Sequence, residues 1–264
     1  MMLYETSDFK LTCEDRMRLM GELSDAYFDI AILDPEYGIG ESSKNHKSRN
    51  TPIKQKNGAT LKSPNNNYVK KNWDALPAND EYGKEIFRVS KNQIIWGANF
   101  FDWIVEKPFE PPRRKDFDKF LKENPKGWIL WDKCNGTSDQ YDCELAWTSF
   151  DRPSFIYQYM WAGMMQGSLL NPTKQEGNKR LNEKRYHPTQ KPRKLYRWMI
   201  LNYCLKGYSI FDSGFGSGNI AFVVRECNRI DKLQLHLTAC EKEKDYFDSA
   251  VSRLKNTDQL ALTF

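Results

Sequence analysis

The sequence predicts an α/β fold organised around a parallel β-sheet. Residues 9 to 13 alternate like a strand, residues 14 to 23 carry apolar side chains at helical spacing, and residues 30 to 33 form a short apolar run. A strand, a helix and a second strand make one βαβ unit, which places its two strands parallel. Residues 208 to 240 repeat this pattern with a glycine-rich turn after the first strand. Two such units indicate a parallel sheet covered by helices.

The middle of the chain supplies further elements of the same fold. The pattern predicts a helix at residues 82 to 89 and a strand at 93 to 97. Two more strands, both rich in aromatic residues, are predicted at 127 to 132 and 155 to 161. The stretch from 142 to 147, which lies between them, is predicted to be a short helical or turn segment.

The C-terminal part of the chain alternates strands and helices without long insertions. A strand is predicted at 208 to 212, a helix at 219 to 228, a strand at 233 to 240 and a final helix at 244 to 255. The turn from 213 to 218 contains three glycines, which permit close approach of a ligand to the backbone.

Length and composition favour one domain. At 264 residues and 39% hydrophobic content, the chain is long enough for one elaborated α/β domain. We expect no membrane span, because no apolar run approaches the ~18 residues that a span requires, and no signal peptide, because the N-terminus is acidic and lacks a hydrophobic core. The six cysteines are widely spread and only three histidines accompany them, so we expect no metal site and a reducing cytoplasm.

The strand at residues 30 to 33 ends abruptly in Asp34, Pro35, Glu36 and Tyr37. Ligands in open α/β sheets bind outside the carboxyl ends of the strands, so these four residues are candidates for an active-site edge. Asp15 holds the corresponding place after the first strand. Its carboxylate is expected either to cap the following helix or to accept a hydrogen bond from a ligand amine.

Two polar segments carry most of the candidate contacts to a polyanion. Residues 42 to 73 contain eight lysines and arginines and no acidic residue, which predicts a mobile basic loop. Residues 163 to 186 form a shorter basic segment. Either segment could be solvated surface, but their charge and position favour contact with phosphates. The residues selected for this role are Lys44, Lys47, Arg49, Lys54, Lys56, Lys179 and Arg180.

The glycine-rich turn and the acid at the end of the next strand predict a nucleoside site. Glu241 lies about 23 residues beyond Gly218, and an acid at that place can accept both hydroxyls of a ribose. A site of this kind would also fit a dehydrogenase that binds a nicotinamide dinucleotide. Asn219 stands where a dinucleotide fingerprint requires its last glycine, and only one helix follows, so the sequence argues against that alternative.

Taken in order, these motifs resemble the permuted beta group of amino-methylating DNA methyltransferases, with the compact layout of solitary phage and prophage methylases. In that group the catalytic half precedes the cofactor half. Two departures are Glu36, where the family motif Asp-Pro-Pro-Tyr has proline, and Ser213-Gly214, where many relatives have Pro-Phe. The resemblance spans nearly the whole chain and rests on Asp15, Asp34-Pro35-Glu36-Tyr37, Trp131-Asp132-Lys133, Glu144 to Ser149, His187-Pro188-Thr189-Gln190-Lys191-Pro192, Asp212, Gly216-Ser217-Gly218 and Glu241.

The resemblance implies a fold and a division of the chain. The fold is a circularly permuted, Rossmann-like methyltransferase with a mostly parallel seven-stranded sheet and helices on both faces. Within a single domain, residues 1 to 162 are the catalytic half, 163 to 186 a target-contact loop and 187 to 264 the cofactor half.

The resemblance also implies which residues form the site. Asp34, Pro35, Glu36 and Tyr37 would be catalytic, and S-adenosyl-L-methionine would be the cofactor. The implied cofactor contacts are Asp15, Asp34, His187, Thr189, Lys191, Asp212, Gly214, Gly216, Ser217, Gly218 and Glu241.

The expected activity is methylation of the exocyclic amine of adenine in double-stranded DNA, with the target base flipped out. Methylation of the cytosine amine remains an alternative, and so does a catalytically silent relative that only binds DNA or cofactor. A bacterial or phage-encoded cytoplasmic protein is expected. Homodimerisation and a partner restriction enzyme stay open.

Overall fold

A computed structural model describes residues 2–39, 53–54, 60–61, 74–135, 141–162, 165–167, 183–187 and 189–261. Its main feature is one nine-stranded sheet in the order β1-β2-β13-β12-β3-β6-β8-β7-β9. These strands are β1 Met2–Glu5, β2 Phe9–Cys13, β3 Ile30–Leu33, β6 Gln93–Trp96, β7 Trp128–Asp132, β8 Cys143–Thr148, β9 Phe155–Gln158, β12 Ser209–Asp212 and β13 His236–Glu241. Two further antiparallel pairs form sheets of their own, β4 Ile53–Lys54 with β5 Thr60–Leu61, and β10 Met160–Ala162 with β11 Met165–Gly167.

Helices cover both faces of the sheet. They are α1 Arg16–Gly21, α2 Asp80–Val89, α3 Phe117–Glu123, α4 Arg193–Tyr203, α5 Asn219–Asp231 and α6 Lys244–Ala261. One buried cluster joins the sheet to α4, α5 and α6, and a second joins it to α1 and α2. The central strands β3 and β6 are buried along their whole length, which explains why β3 is entirely apolar and β6 is apolar after Gln93. None of the helices within the described ranges is both long and apolar enough to cross a membrane.

The predicted fold class is confirmed. Parallel pairing joins β2, β13, β12, β3 and β6 in that order, and also joins β7 to β9. Strand β2, near the start of the chain, therefore lies beside β13, near its end, as a circular permutation requires. This arrangement brings the carboxyl ends of four strands, near Glu14, Asp34, Asp212 and Glu241, to one edge of the sheet.

The prediction of seven strands was wrong, because the sheet has nine. One additional strand is β1, an edge strand that pairs antiparallel with β2. The other is β8, which the sequence had suggested to be helical or a turn. Strand β8 lies between β6 and β7 and is antiparallel to both. Because β8 lies between two other strands, side chains on both of its faces are buried. It therefore lacks the alternation of apolar and polar residues that marks a half-exposed strand. The predicted strand at 155 to 161 is divided into β9 and β10.

Candidate active site

A cavity of about 590 Å³ opens at the carboxyl ends of these strands. The predicted catalytic residues line it from β3, and the glycine-rich turn lines it from β12. The lining also includes Asp15, His187, Thr189, Lys191 and Glu241. Asp212 and Gly218 were predicted to contact the cofactor but lie outside this lining. One cavity thus joins residues that are as far apart in sequence as Asp15 and Glu241.

The turn after β3 is held by the packing of Tyr37. The Tyr37 ring stacks on Phe100 at 5.5 Å between centroids and lies against Gly97. Gly97 has φ +68°, and a Cβ atom there would come within 2.1 Å of the ring. Only glycine permits both this backbone conformation and this contact. Gly97 therefore helps to fix where Tyr37 and its hydroxyl lie.

Asp34 is anchored through one carboxylate oxygen. The Tyr37 hydroxyl donates to Oδ1 at 2.6 Å, and the Lys191 ammonium donates to the same oxygen. Burial raises the pKa of Asp34, and Lys191 opposes that rise. Burial, followed by Asp34, raises the pKa of Tyr37 well above its usual value, so the phenol remains a donor. Within the described residues, Oδ2 of Asp34 accepts no hydrogen bond.

Glu36, the residue that departs from the motif, is paired with a cation. One of its carboxylate oxygens lies 2.7 Å from Nη1 of Arg16 at the start of α1. The Arg16 guanidinium also lies over the ring of Tyr82, 4.1 Å from its centroid. Tyr82 in turn shares a 2.6 Å hydrogen bond with the hydroxyl of Ser213. The Glu36 side chain is thus tied to the α1 side of the cavity.

The glycine-rich turn is fixed by the acid of the neighbouring strand. The Gly216 amide donates to Oε2 of Glu241 at 2.9 Å, and the Glu243 amide donates to Oε1 at 2.8 Å. Burial raises the pKa of the Glu241 carboxyl, while these two amide hydrogen bonds lower it. A carboxylate has about four acceptor positions, so Glu241 retains acceptor capacity toward the cavity.

Two acids follow β2, and their roles differ. Oδ1 of Asp15 accepts from the amides of Met17 and Arg18, at 2.9 and 3.3 Å, and thus caps α1. Of the two roles expected for Asp15, the structure shows the capping one. The preceding residue, Glu14, lines the cavity, and both of its carboxylate oxygens are buried without a hydrogen-bond partner among the described residues. Glu14 was not predicted from the sequence, in which Asp15 was the acid expected to act at this strand end.

The segment before α4 brings the remaining predicted residues to the cavity. His187 stacks edge-on against Tyr246 at 4.4 Å, and its Nδ1 shares a 3.2 Å hydrogen bond with the Thr189 hydroxyl. The His187 ring also lies beside Gly216. Lys191 is directed at Asp34.

The candidate phosphate contacts Lys44, Lys47, Arg49, Lys56, Lys179 and Arg180 lie outside the described residues, and Lys54 is described only in its backbone.

Asp212 lies behind the cavity wall. Its carboxylate is 2% exposed and accepts from the Gly214 amide at 3.1 Å, which shapes the turn. Burial raises the pKa of Asp212 to about 7, although the Gly214 amide opposes the rise. A buried carboxylate of this kind destabilises the folded state when it is ionised.

We therefore expect Asp212→Asn to stabilise the cofactor-free protein in a pH-dependent way. The folded pKa lies above the unfolded value of roughly 3.9, so the parent loses stability as pH rises through the interval between them. The advantage of the asparagine variant should grow up to about pH 7 and then level off at roughly 2–4 kcal/mol. Urea unfolding from pH 5 to pH 8 measures it, and a pH-independent difference would contradict this assignment.

Comparison with known proteins places the chain in a family. Residues 28–252 match the family described as DNA methylase, of the N6/N4 type. The type II methyltransferase M.HpaI of Haemophilus parainfluenzae is 25% identical over 280 residues, which cover 94% of this chain and 79% of that protein.

The chain is also similar to solved structures. M1.HpyAVI, in a complex with SAM, is 17% identical, with 93% of this chain and 99% of that chain covered and a TM-score of 0.45. The cytosine-N4-specific PvuII DNA methyltransferase is 12% identical, with 94% and 86% covered and a TM-score of 0.48. Because the family match spans most of the sequence, the chain belongs to the DNA methylase family of amino-methyltransferases, whose methyl donor is S-adenosyl-L-methionine.

Proposed function

We propose that this DNA amino-methyltransferase transfers the methyl group to the N6 amine of adenine, at a specific site in double-stranded DNA. The observation that supports methylation of an exocyclic amine is the state of Asp34, and the choice of adenine rests on the resemblance of residues 34 to 37 to a motif that begins with aspartate. One of its oxygens is fixed by Tyr37 and Lys191, and the other has no partner among the described residues at the edge of the cavity. A carboxylate in that state can accept a hydrogen bond from an exocyclic amine.

The role of Asp34 follows from the chemistry of the target. An aromatic amine is a poor nucleophile because its lone pair is delocalised into the ring. Two acceptors that hold its N–H bonds would direct that pair away from the ring. We assign these roles to the Asp34 carboxylate and the main-chain carbonyl of Pro35, both at the cavity edge. The amine nitrogen would form the new N–C bond while the S–C bond of the donor breaks and leaves its electron pair on the sulfur, and Oδ2 of Asp34 would accept the proton that the amine releases.

The cofactor half of the cavity has groups that suit S-adenosyl-L-methionine. Its glycine-rich turn permits close approach, and Glu241 can accept from ribose hydroxyls. The unpartnered carboxylate of Glu14 offers an acceptor for the adenine amine of the cofactor, in a place where a buried charge without a ligand is costly. When bound, the cofactor supplies a methyl group already activated by its sulfonium. We assign further contacts to His187 and Thr189, which line the same cavity.

Access to the target base requires that it leave the duplex, because the acceptors lie inside a cavity. We assign contacts with the flanking phosphates to the basic segments 42 to 73 and 163 to 186. We assign contact with the flipped base to Tyr37, which lines the cavity. These assignments divide the chain into a catalytic half up to residue 162 and a cofactor half from residue 187.

Base identity can be tested in cells. The protein is expressed in bacteria that lack their own DNA methylases, and modified bases are mapped by sequencing genomic DNA. Methylated adenine at one recurring sequence is the expected result, with no modification from Asp34→Ala. If cytosine were modified instead, the target would be the N4 amine of cytosine and the assignment to adenine would be wrong. Unmodified DNA from a strain that contains folded protein would favour a silent relative.

Glu36 is expected to have a small effect on the reaction. Since Arg16 neutralises its charge, Glu36→Gln should change the rate of methyl transfer by less than about ten-fold, which is ~1.4 kcal/mol. The rate is measured in single turnovers at saturating cofactor.

The matched variant is Arg16→Met, which leaves Glu36 without its partner. That variant should lower the rate or the cofactor affinity more than Glu36→Gln does, and the double variant should recover part of the loss. If Glu36→Gln instead raised the rate by far more than ten-fold, the glutamate would be shown to repel the target base.

A further inference from the structure

A chain of four alternating charges lies along the wall of the cavity, beside the catalytic turn. Strand β8 is paired with β7 so that Glu144 lies opposite Trp131, and this pairing brings Glu144 to Lys133. Oε1 of Glu144 is 2.7 Å from the Lys133 ammonium, and Oε2 is 3.1 Å from that of Lys191. Lys191 then contacts Asp34. The order is therefore cation, anion, cation, anion. All four residues line the cavity, and Asp34 ends the chain on the side of the catalytic turn.

Lys191 is the central member of this chain. Its side chain is 2% exposed and lies 5.2 Å from the centroid of the Trp96 ring and 5.6 Å from that of Tyr37. The ammonium also lies 3.1 Å from the Tyr37 hydroxyl. Its contacts with Asp34, Glu144 and Tyr37 match the three donors that an ammonium has. The position of Lys191 is thus determined by the catalytic turn and by β8.

Removing a cation from water is costly unless acids compensate it closely. Here the carboxylates of Asp34 and Glu144 compensate the charge of Lys191, and Lys133 balances the charge of Glu144. The ion pair of Lys191 with Asp34 is thus supported by a second pair, that of Glu144 with Lys133. The additional pair extends from β7 and β8 toward the one carboxylate that we assign to the target amine.

We propose that Lys191, held in place by Glu144 and Lys133, is a positioning residue that fixes Oδ1 of Asp34 and so presents Oδ2 to the target amine. This inference rests on the role proposed for Asp34. It also assigns Lys191, which the sequence had suggested as a cofactor contact, to the catalytic carboxylate.

The charges around Asp34 give this arrangement a measurable signature. Burial raises the pKa of Asp34, Lys191 lowers it and Glu144 raises it. Burial also acts to raise the pKa of Glu144, but Lys133 and Lys191 outweigh it and bring that pKa to about 2, so Glu144 remains an anion. The titratable groups that face Asp34 are Tyr37 on its own turn, Lys191 before α4, Tyr196 on α4, Glu144 on β8 and Asp212 on β12.

Opposite pH shifts are the expected result for two variants. Lys191→Gln removes the group that favours ionised Asp34, so the acid limb of the pH–rate profile should move to higher pH, by about one pH unit or more. Glu144→Gln removes an anion, so the limb should move to lower pH. A role in packing alone would not produce shifts of opposite sign.

Further readouts separate positioning from cofactor binding. Lys191→Gln should lower the rate by roughly 10- to 100-fold even above the acid limb, because Asp34 is no longer oriented. Its affinity for S-adenosyl-L-methionine should stay within about three-fold of the parent. A ten-fold weaker cofactor affinity with an unmoved acid limb would overturn the proposal. Lys191→Arg, which retains the charge, should keep the limb near that of the parent.

A matched control is available at the other end of β3. Lys91 pairs with Asp29 at 2.7 Å, just before that strand begins. Lys91→Gln breaks a similar ion pair far from the cavity and should leave both the acid limb and the rate unchanged.

If Lys191→Gln does not fold, the double variant Lys191→Gln, Glu144→Gln restores the balance of charge. Its acid limb should lie above that of Glu144→Gln, and coincident limbs would contradict the proposal.

The ionisation of Asp34 can also be read without any activity. In protein with ¹³C-labelled aspartate carboxyl groups, the Asp34 signal is identified by its absence from Asp34→Asn, and its chemical shift is followed against pH. The signal should titrate at higher pH in Lys191→Gln and at lower pH in Glu144→Gln than in the parent. If the parent transfers no methyl group, the proposed function fails, but these shifts still decide the network. Unmoved titration in both variants would overturn it.

Discussion

Replacement of Asp34 by alanine is expected to reduce methyl transfer by at least roughly 10²-fold while cofactor affinity stays within about three-fold. The variant removes the acceptor for the target amine. It leaves the glycine-rich turn and Glu241 in place, because neither is bonded to Asp34. Single-turnover rates and calorimetry measure the two quantities separately.

Tyr37→Phe is the matched control for Asp34→Ala. It removes the hydroxyl that donates to Oδ1 of Asp34. The ring that packs on Phe100 and the ion pair between Asp34 and Lys191 are retained. We expect a loss of about ten-fold, below that of Asp34→Ala. Lys191 still holds the same oxygen, so the lost hydrogen bond should lie at the lower end of the roughly 1.5–3 kcal/mol that such bonds to charged groups contribute. If Asp34→Ala kept a rate similar to that of Tyr37→Phe, Asp34 would not be the acceptor.

Replacement of Glu241 by alanine should weaken the binding of S-adenosyl-L-methionine by about ten-fold or more. Two effects combine in this variant. The ribose hydroxyls lose their acceptor, and the Gly216 amide loses the carboxylate that holds the turn. Calorimetry measures the affinity directly, and unchanged affinity would make Glu241 a structural carboxylate only.

The effect of pH on binding provides a second measurement for Glu241. Burial raises the pKa of this carboxyl above its usual value, so protonation should weaken cofactor binding as pH falls toward that raised pKa. Glu241→Gln retains an acceptor oxygen without the charge. It should bind more tightly than Glu241→Ala and should lose this acid dependence.

The sequence was sufficient to predict the fold class and the edge of the sheet that forms the cavity. Both follow from local patterns, because apolar strands that end in Asp34, Asp212 and Glu241 are visible in the sequence. The strand β8 was missed, since a segment inserted between two strands in the middle of a sheet lacks regular alternation. With β8, its contribution to the site through Glu144 was missed too.

Pairwise contacts across the fold could not be predicted from sequence patterns. Nothing in the residues around position 16 or position 36 shows that Arg16 and Glu36 meet, because the contact depends on how α1 packs beside the catalytic turn. The same holds for Lys191 and Asp34, which are 157 positions apart. Glu14 and Asp15 are neighbours in sequence, and only the cap on α1 shows which carboxylate is already engaged.

The nature of the modified base can be determined with purified protein. Unmodified DNA of mixed sequence is incubated with the protein and S-adenosyl-L-methionine that carries a trideuterated methyl group, then digested to nucleosides and analysed by mass spectrometry. We predict labelled N6-methyldeoxyadenosine from the parent and none from Asp34→Ala. Label on N4 of deoxycytidine, or the absence of label from protein that binds the cofactor, would contradict the proposed function.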